Sequence, residues 1–265
     1  MGEIITSLKN SRIKYIKSLS RKKNRWAEKK YILEGIRSVG QLLENTDSVE
    51  EVIYSKEVKN LNRGEDVLRI SEDRGVLCTE VSKEVFDSIT MTESPQYIMA
   101  VAEFRLSELR DVLNKGRQLI FLDRIQDPGN LGTIMRTAEA MGFDGIVFTD
   151  GTVDIYNPKV LRSAMGVEIP LIYYETSEEA VRELKENGIR IISSYLDTDK
   201  NIFEADLSES AAIVIGNEAN GISDEIIAES DELVKIPMAG KAESLNAAAA
   251  SAIIMYESMR QKICR

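Results

Sequence analysis

Residues 233–263 read LVKIPMAGKAESLNAAAASAIIMYESMRQKI, and this stretch decides the fold. LVKI is a short apolar run closed by Pro237, which removes a ladder donor. MAGKAE supplies a turn, and Ser244 and Leu245 open a helix. Leu245, Ala249, Ala252, Tyr256, Met259 and Ile263 recur at helical spacing and predict one apolar face. Ala247, Ala248 and Ala250 keep the neighbouring faces small, so backbone or ligand can approach closely. Helix propensity alone accounts for such an alanine content. Asn246 does not fit that account: an amide in the first turn either caps the helix or offers a donor and an acceptor to something bound there. The helix by itself does not choose between the two.

Upstream of this segment, apolar runs alternate with helix-length stretches: LIFLD at 119–123, GIVFTD at 145–150, IRIISSY at 189–195 and AAIVIG at 211–216. With LVKI they predict a buried parallel sheet covered by helices. Ligands of such sheets collect at the loops after the carboxyl ends of the strands, here after Asp123, Ile215 and Ile236.

The first 105 residues read differently. Residues 7–19 have helical spacing in Leu8, Ile13, Ile16 and Leu19, and SRKKNRWAEKK then reads as an exposed, charged connection. A helix is predicted over 35–43, with strand-like runs at 49–54, 67–70, 76–81 and 97–104, enough for a small α/β domain with a mixed sheet. Residues 106–117, polar and charged with little to bury, read as a linker to a second domain at 118–265.

The 265 residues suffice for one large or two modest cores. No run approaches a membrane span, and MGEIITSLKNSRIK lacks the apolar block of a signal peptide, so a cytoplasmic protein is expected. Cys78 and Cys264 match no metal-ligand spacing and read as reduced thiols. The chain has no histidine, which excludes a Ser-His-Asp triad and nearly every catalytic zinc site. Carboxylates, Arg, Lys, Tyr or a cofactor must carry any chemistry.

Net charge is -10, unevenly spread. Residues 1–30 hold ten Lys or Arg against Glu3 and Glu28, whereas 106–265 carry a net -11. Lys22, Lys23 and Arg25, with Tyr15 and Trp26 interleaved, have the composition of a phosphate-contacting, base-stacking arm; a solvated helix face is the plainer reading.

The three loops carry the chemistry. In DRIQDPGNLGTIMRTAEAMGFDG, Pro128, Gly129 and Gly132 permit a tight turn into a helix that bears Arg136. A dinucleotide fingerprint is incomplete here, because only G-N-L-G is present. In VIGNEANGIS, Gly216 and Gly221 bracket Asn217, Glu218 and Asn220, so the backbone can turn sharply and expose amides.

Together N-L-G-x-x-x-R at 130–136, G-x-E-x-x-G-I at 216–222 and I-P-M-x-G-x-x-x-S-L-N at 236–246 resemble the three motifs of the SpoU, or TrmH-like, ribose 2′-O-methyltransferases of the SPOUT superfamily, in order and spacing. N-P-K-V-L-R-S-A-M-G at 157–166 is similar to that family's segment between the first two motifs. Residues 1–105 resemble the ribosomal-protein-L30e-like substrate-binding domain that often precedes the catalytic domain. After S-L-N this chain has A-A-A-A-S where the family commonly shows V-S-V-A.

The resemblance implies an α/β SPOUT domain with a C-terminal trefoil knot and a homodimer. It implies S-adenosylmethionine bound without metal, with contacts at Gly216, Ile236 and Leu245. It places Arg136, Glu218, Ser244 and Asn246 on the acceptor side, with Asn130 supporting the first loop. The implied reaction is 2′-O-methylation of RNA, ribosomal before transfer RNA. A noncatalytic RNA-binding or ribosome-assembly protein of the same fold is the alternative, and a Rossmann nucleotide enzyme the third reading.

Overall fold

A computed structural model describes residues 4–264. The chain divides into two compact units, one comprising the residues up to Arg105 together with Tyr156–Glu168, the other Leu106–Ile155 with Ile169 onward.

The first unit contains helices α1 (Ser11–Ser18) and α2 (Lys22–Glu28), strand β1 (Lys30–Glu34), α3 (Ile36–Asn45), β2 (Val49–Tyr54), α4 (Gly64–Asp73), β3 (Leu77–Glu80), α5 (Lys83–Ile89) and β4 (Ile98–Glu103). Its sheet has the order β1-β4-β2-β3 and is mixed: β4 runs antiparallel to β1 and β2, and β2 runs parallel to β3. Ile13, Ile16 and Leu19 of the N-terminal segment enter a core with Ile53, Phe86, Met99 and Val101. The predicted stripe is therefore real except for Leu8, which is exposed.

Two expectations for this unit need correction. Residues 67–70, read as a strand, lie inside α4: Val67, Leu68 and Ser71 face inward at helical spacing, which four residues could not distinguish from a buried strand. Residues 20–30, read as an exposed connection, contain α2. Its Arg25 is 3 % exposed and donates from Nη1 to Leu19 O at 2.8 Å and Ser20 O at 2.7 Å. Arg25 thus closes the end of the preceding helical segment with its guanidinium buried, whereas Lys22 and Lys23 are exposed. Trp26 packs edge-on against Phe104 at 5.4 Å, and Phe104 stacks on Tyr156 at 4.0 Å.

The second unit begins with α6 (Leu109–Leu113), in the stretch read as a linker. Leu109 and Val112, three apart, are almost fully buried, so this polar segment does contribute to the core. There follow β5 (Gln118–Leu122), α7 (Pro128–Ala140), β6 (Gly145–Thr149), β7 (Leu171–Tyr174), α8 (Ser177–Glu186), β8 (Arg190–Ser194), β9 (Ala211–Ile215), α9 (Asp224–Glu229), β10 (Glu232–Val234) and α10 (Ala247–Ile263). The helix Pro158–Ala164, in the 157–166 segment, belongs to the first unit and packs on β1.

All six strands are parallel, in the order β10-β8-β9-β5-β6-β7. Every residue of β5, β6 and β9 is buried, as strands covered on both faces must be, hence their unbroken apolar lettering. β7 is an edge strand that the sequence reading did not identify. Leu119, Phe121, Val147 and Val214 meet α6, α8 and α9 on one face. Side-chain alternation turns Ile120 and Ile146 to the other face, where α7 packs against β6 and α10.

The face of α10 is a further correction. Ala248, Ser251, Ile254, Met255 and Ser258 are buried, whereas Ala249, Tyr256 and Ile263 of the expected apolar stripe are exposed. Two serines lie on the inner side because their hydroxyls find acceptors there. Ser251 Oγ donates to Ala247 O at 2.6 Å. Ser258 Oγ lies 2.7 Å from Gln118 Oε1 and 2.8 Å from Leu207 O. On the outer side Ile253, Tyr256 and Ile263 are exposed, while Ala252 and Met259 are half-buried.

Candidate active site

The loops after β5, β9 and β10 meet at the carboxyl end of the sheet, joined by a chain of hydrogen bonds. Asp127 caps α7, its Oδ1 accepting from Asn130 N at 2.8 Å, and Pro128 occupies the first turn where no amide partner is needed. Glu218 reaches across to the same turn. Its carboxylate accepts from Gln126 N at 3.1 Å, from Asp127 N at 3.1 Å and from Asn130 Nδ2 at 3.0 Å. Asn130 Oδ1 in turn accepts from Asn246 Nδ2 at 2.9 Å. Asn246 Oδ1 caps α10 by accepting from Ala248 N and Ala249 N.

Of the two readings of Asn246 the structure shows the cap: its oxygen caps the helix, and its amide is donated to Asn130 in the first loop. Glu218, Asn130 and Asn246 form one connected network, although they lie far apart in sequence.

Partial burial of Glu218 pushes its carboxyl up, but hydrogen bonds from Asn130, its own backbone amide and the amides of Gln126 and Asp127 outweigh this and hold it below its ordinary value. The stabilisation it gives is accordingly present above the ordinary glutamate range and is lost as pH falls through the lowered value.

Beside this network lies a cavity of about 450 Å³. Gly216, Glu218, Ile236, Ser244, Leu245 and Asn246, all expected site residues, form part of its wall. The wall also includes Ser194, the last residue of β8, and Tyr195 and Leu196 after it, which the sequence reading did not single out as site residues. The available signal was positional: IRIISSY ends a parallel strand just as the other three runs do. Ala219, Gly221, Ala247 and Ala250 contribute small side chains or bare backbone. A Cβ on Gly216 would lie 2.4 Å from Gly221 C and from Ile222 N, so only glycine permits this turn.

Arg136 and Asn130 are not in the cavity wall. Arg136 stands on the exposed side of α7, between Met135 and Thr137 and two helical turns beyond Gly129. Lys22 and Lys23 belong to the other unit.

The wall mixes backbone, alanines and apolar side chains with Tyr195, Asn217, Glu218, Lys235, Ser244 and Asn246, and its volume admits a small-molecule ligand with both apolar and polar parts. Asn246 and Glu218, both in this wall, offer polar groups to a second reactant.

Comparison with known proteins agrees with this geometry. The profile of the SpoU rRNA Methylase family matches residues 117–256, and that of the MRM3-like substrate binding domain matches residues 10–100. The chain is 36 % identical over 256 residues to the 23S rRNA (guanosine(2553)-2′-O)-methyltransferase RlmP of Bacillus subtilis, covering 95 % of this chain and 97 % of that protein. An AdoMet-bound rRNA methyltransferase from Sinorhizobium meliloti superposes with a TM-score of 0.85 at 32 % identity, covering 97 % of each chain. The SpoU methyltransferase AviRb from Streptomyces viridochromogenes, in complex with AdoMet, gives 0.84 at 26 % identity over 97 % of this chain and 100 % of that one. The motif loops, the parallel sheet that carries them and these likenesses together place the chain in the SpoU rRNA methylase family.

Proposed function

We propose that this chain transfers a methyl group from S-adenosylmethionine to a ribose 2′-hydroxyl of ribosomal RNA. The observation that carries the reading is the junction of the three loops: Asn130 bridges Glu218 and Asn246 by hydrogen bonds, and those two residues lie in the wall of the cavity. The names of the relatives favour ribosomal over transfer RNA.

The cavity fits the cofactor, because a side chain at Gly216 is excluded and Ile236, Leu245, Ala247 and Ala250 offer apolar or small surface. Gly216, Ile236 and Leu245 would hold the adenosylmethionine. When bound, it supplies an electrophilic sulfonium methyl. The chain's part is to align the ribose and ease loss of its proton. Asn246 and Ser244 are assigned to the ribose edge, Glu218 and Asn130 to holding Asn246 in place, and Arg136 to a phosphate beside the reacting nucleotide. Asp127 accepts from Asn130 N in the first turn of α7, and Glu218 accepts from the preceding amides of Gln126 and Asp127, so the phosphate is assigned to Arg136 and not to the helix N-terminus.

Residues 1–105 are proposed as the RNA-holding domain, 118–265 as the catalytic one with its C-terminal segment knotted, and the enzyme as cytoplasmic. Among the described residues no helix is long and apolar enough to cross a membrane.

The test is ribose-methylation mapping of total RNA with and without the gene, followed by transfer of labelled methyl in vitro. One lost ribosomal 2′-O-methyl, restored by the wild-type gene, is expected; an unchanged map with no adenosylmethionine binding would favour the noncatalytic reading.

The proposal includes a homodimer, supported by the outward stripe of α10, where Ile253, Tyr256 and Ile263 are 40, 54 and 73 % exposed. Sedimentation should show a dimer for the wild type and a monomer for Tyr256→Glu. A monomeric wild type would remove this part.

The basic arm is narrower than its sequence suggests, since Arg25 is structural. Replacing Lys22 and Lys23 by Gln should lower the slope of log affinity against log salt for RNA by about 1–2. An unchanged slope would place the RNA contacts elsewhere.

A further inference from the structure

Asn217 is assigned no role by the motif resemblance, yet it has an unusual set of partners. It is 8 % exposed and lies in the cavity wall between Gly216 and Glu218. Its Oδ1 accepts from Ala219 N at 3.0 Å, Asn220 N at 3.0 Å and Asn220 Nδ2 at 3.3 Å. Its backbone exchanges two hydrogen bonds with Gly221, closing the turn that lets Gly216 approach Gly221. The oxygen thus shapes the second loop.

The amide nitrogen points the other way. Asn217 Nδ2 donates to Arg124 O at 2.8 Å, in the first loop. Arg124 has φ +56°, a left-handed conformation that costs a non-glycine residue free energy unless its surroundings enforce it. Its Nε donates to Asp123 Oδ1 at 2.9 Å, and the wholly buried Asp123 accepts from Ser223 N, on the far side of the second loop, at 2.6 Å. Six residues beyond Arg124 comes Asn130, and twelve beyond comes Arg136.

We infer that Asn217 is a positioning residue that couples the two loops: its oxygen sets the wall of the adenosylmethionine cavity, and its amide fixes the origin of the segment bearing Asn130 and Arg136. This deepens the proposed function and rests on it. The two halves of one side chain serve the two reactants separately, so they can be separated by substitution. Asn217→Asp keeps the acceptor that shapes the turn but loses the donor, and places a carboxylate oxygen against Arg124 O. Asn217→Ala loses both.

The experiment uses the full chain and three readouts: adenosylmethionine affinity by calorimetry, kcat for methyl transfer to ribosomal RNA, and amide hydrogen exchange. For Asn217→Asp we expect affinity within about threefold of wild type and kcat reduced at least about tenfold. Faster exchange should be confined to residues 124–131, with 216–222 still protected. Asn217→Ala should lose affinity as well and exchange faster in both loops. A general structural role would lower affinity and kcat together in both variants, and that result would overturn the inference. So would an Asn217→Asp variant with wild-type kcat and exchange. Should the wild type neither bind adenosylmethionine nor methylate RNA, the proposed function fails, and the exchange pattern alone then decides whether the loops are coupled through Asn217.

Discussion

Arg136→Ala should reduce methyl transfer by about 10²–10³-fold while leaving adenosylmethionine affinity close to wild type. The argument is one of placement. Arg136 is on the exposed side of α7 and outside the wall of the cavity that the cofactor would fill, so its loss should remove little cofactor binding. A guanidinium stays protonated in proteins, which makes it a poor general base and a good fork for phosphate. In the proposed reading its value would lie in holding the nucleotide and stabilising negative charge as it develops on the attacking oxygen. Arg136→Lys should therefore recover only part of the rate, since a point charge replaces a planar bidentate donor. Single-turnover transfer and equilibrium cofactor binding measured on the same preparations separate the two contributions. Equal losses in both would move Arg136 to the cofactor side, and a fully active Arg136→Ala would remove it from the reaction.

What the sequence made legible follows from how local each signal is. The strands of the parallel sheet were visible because burial on both faces forces continuous apolar runs, as in LIFLD and AAIVI. β7, at the edge, has only two of its four residues buried, and it left no comparable run. The 67–70 segment was too short to separate a helix turn from a strand. On α10, spacing correctly located an apolar stripe, and the error was in assuming that a stripe must face the chain's own core. Ser251 and Ser258 could turn inward because their acceptors are Ala247 O in the preceding turn and, for Ser258, Gln118 and Leu207, which are remote in sequence.

The candidate site was legible as residue types and illegible as a network. Glu218 was expected on the acceptor side of the site, in a loop bracketed by Gly216 and Gly221. It serves the amides of Gln126 and Asp127 as well, about ninety positions earlier. No periodicity encodes such a pairing, which exists only once β5 and β9 lie side by side. The same holds for Asp123 with Ser223, and for Arg25, whose charge looked available for RNA until its carbonyl partners were seen.

Arg12, another cation of the basic arm, is also committed internally, and Arg12→Ala should destabilise the N-terminal unit by about 3 kcal/mol. Its guanidinium forks onto the carboxylate of Glu51, with Nε donating to Oε2 at 2.6 Å and Nη2 to the same oxygen. Glu51 is 1 % exposed, and its other oxygen accepts from Thr79 Oγ1 at 2.5 Å. Removing Arg12 leaves a buried carboxylate without its counter-charge. The usual cost is about 3–5 kcal/mol, and partial exposure of Arg12 puts this case at the lower end. Trp26 is the chain's one tryptophan and packs in the same unit, so its fluorescence in a urea titration reports this unit separately from the other. Adding Glu51→Gln to Arg12→Ala should recover part of the loss, because a neutral amide no longer needs the counter-charge. A tryptophan transition within about 0.5 kcal/mol of wild type would mean that the pair contributes nothing. Measured while the unit is still folded, Arg12→Ala should leave the salt dependence of RNA binding unchanged. Lys22 and Lys23 carry that dependence in the proposed reading, and a slope lowered by Arg12→Ala would show that the buried pair opens to meet the RNA.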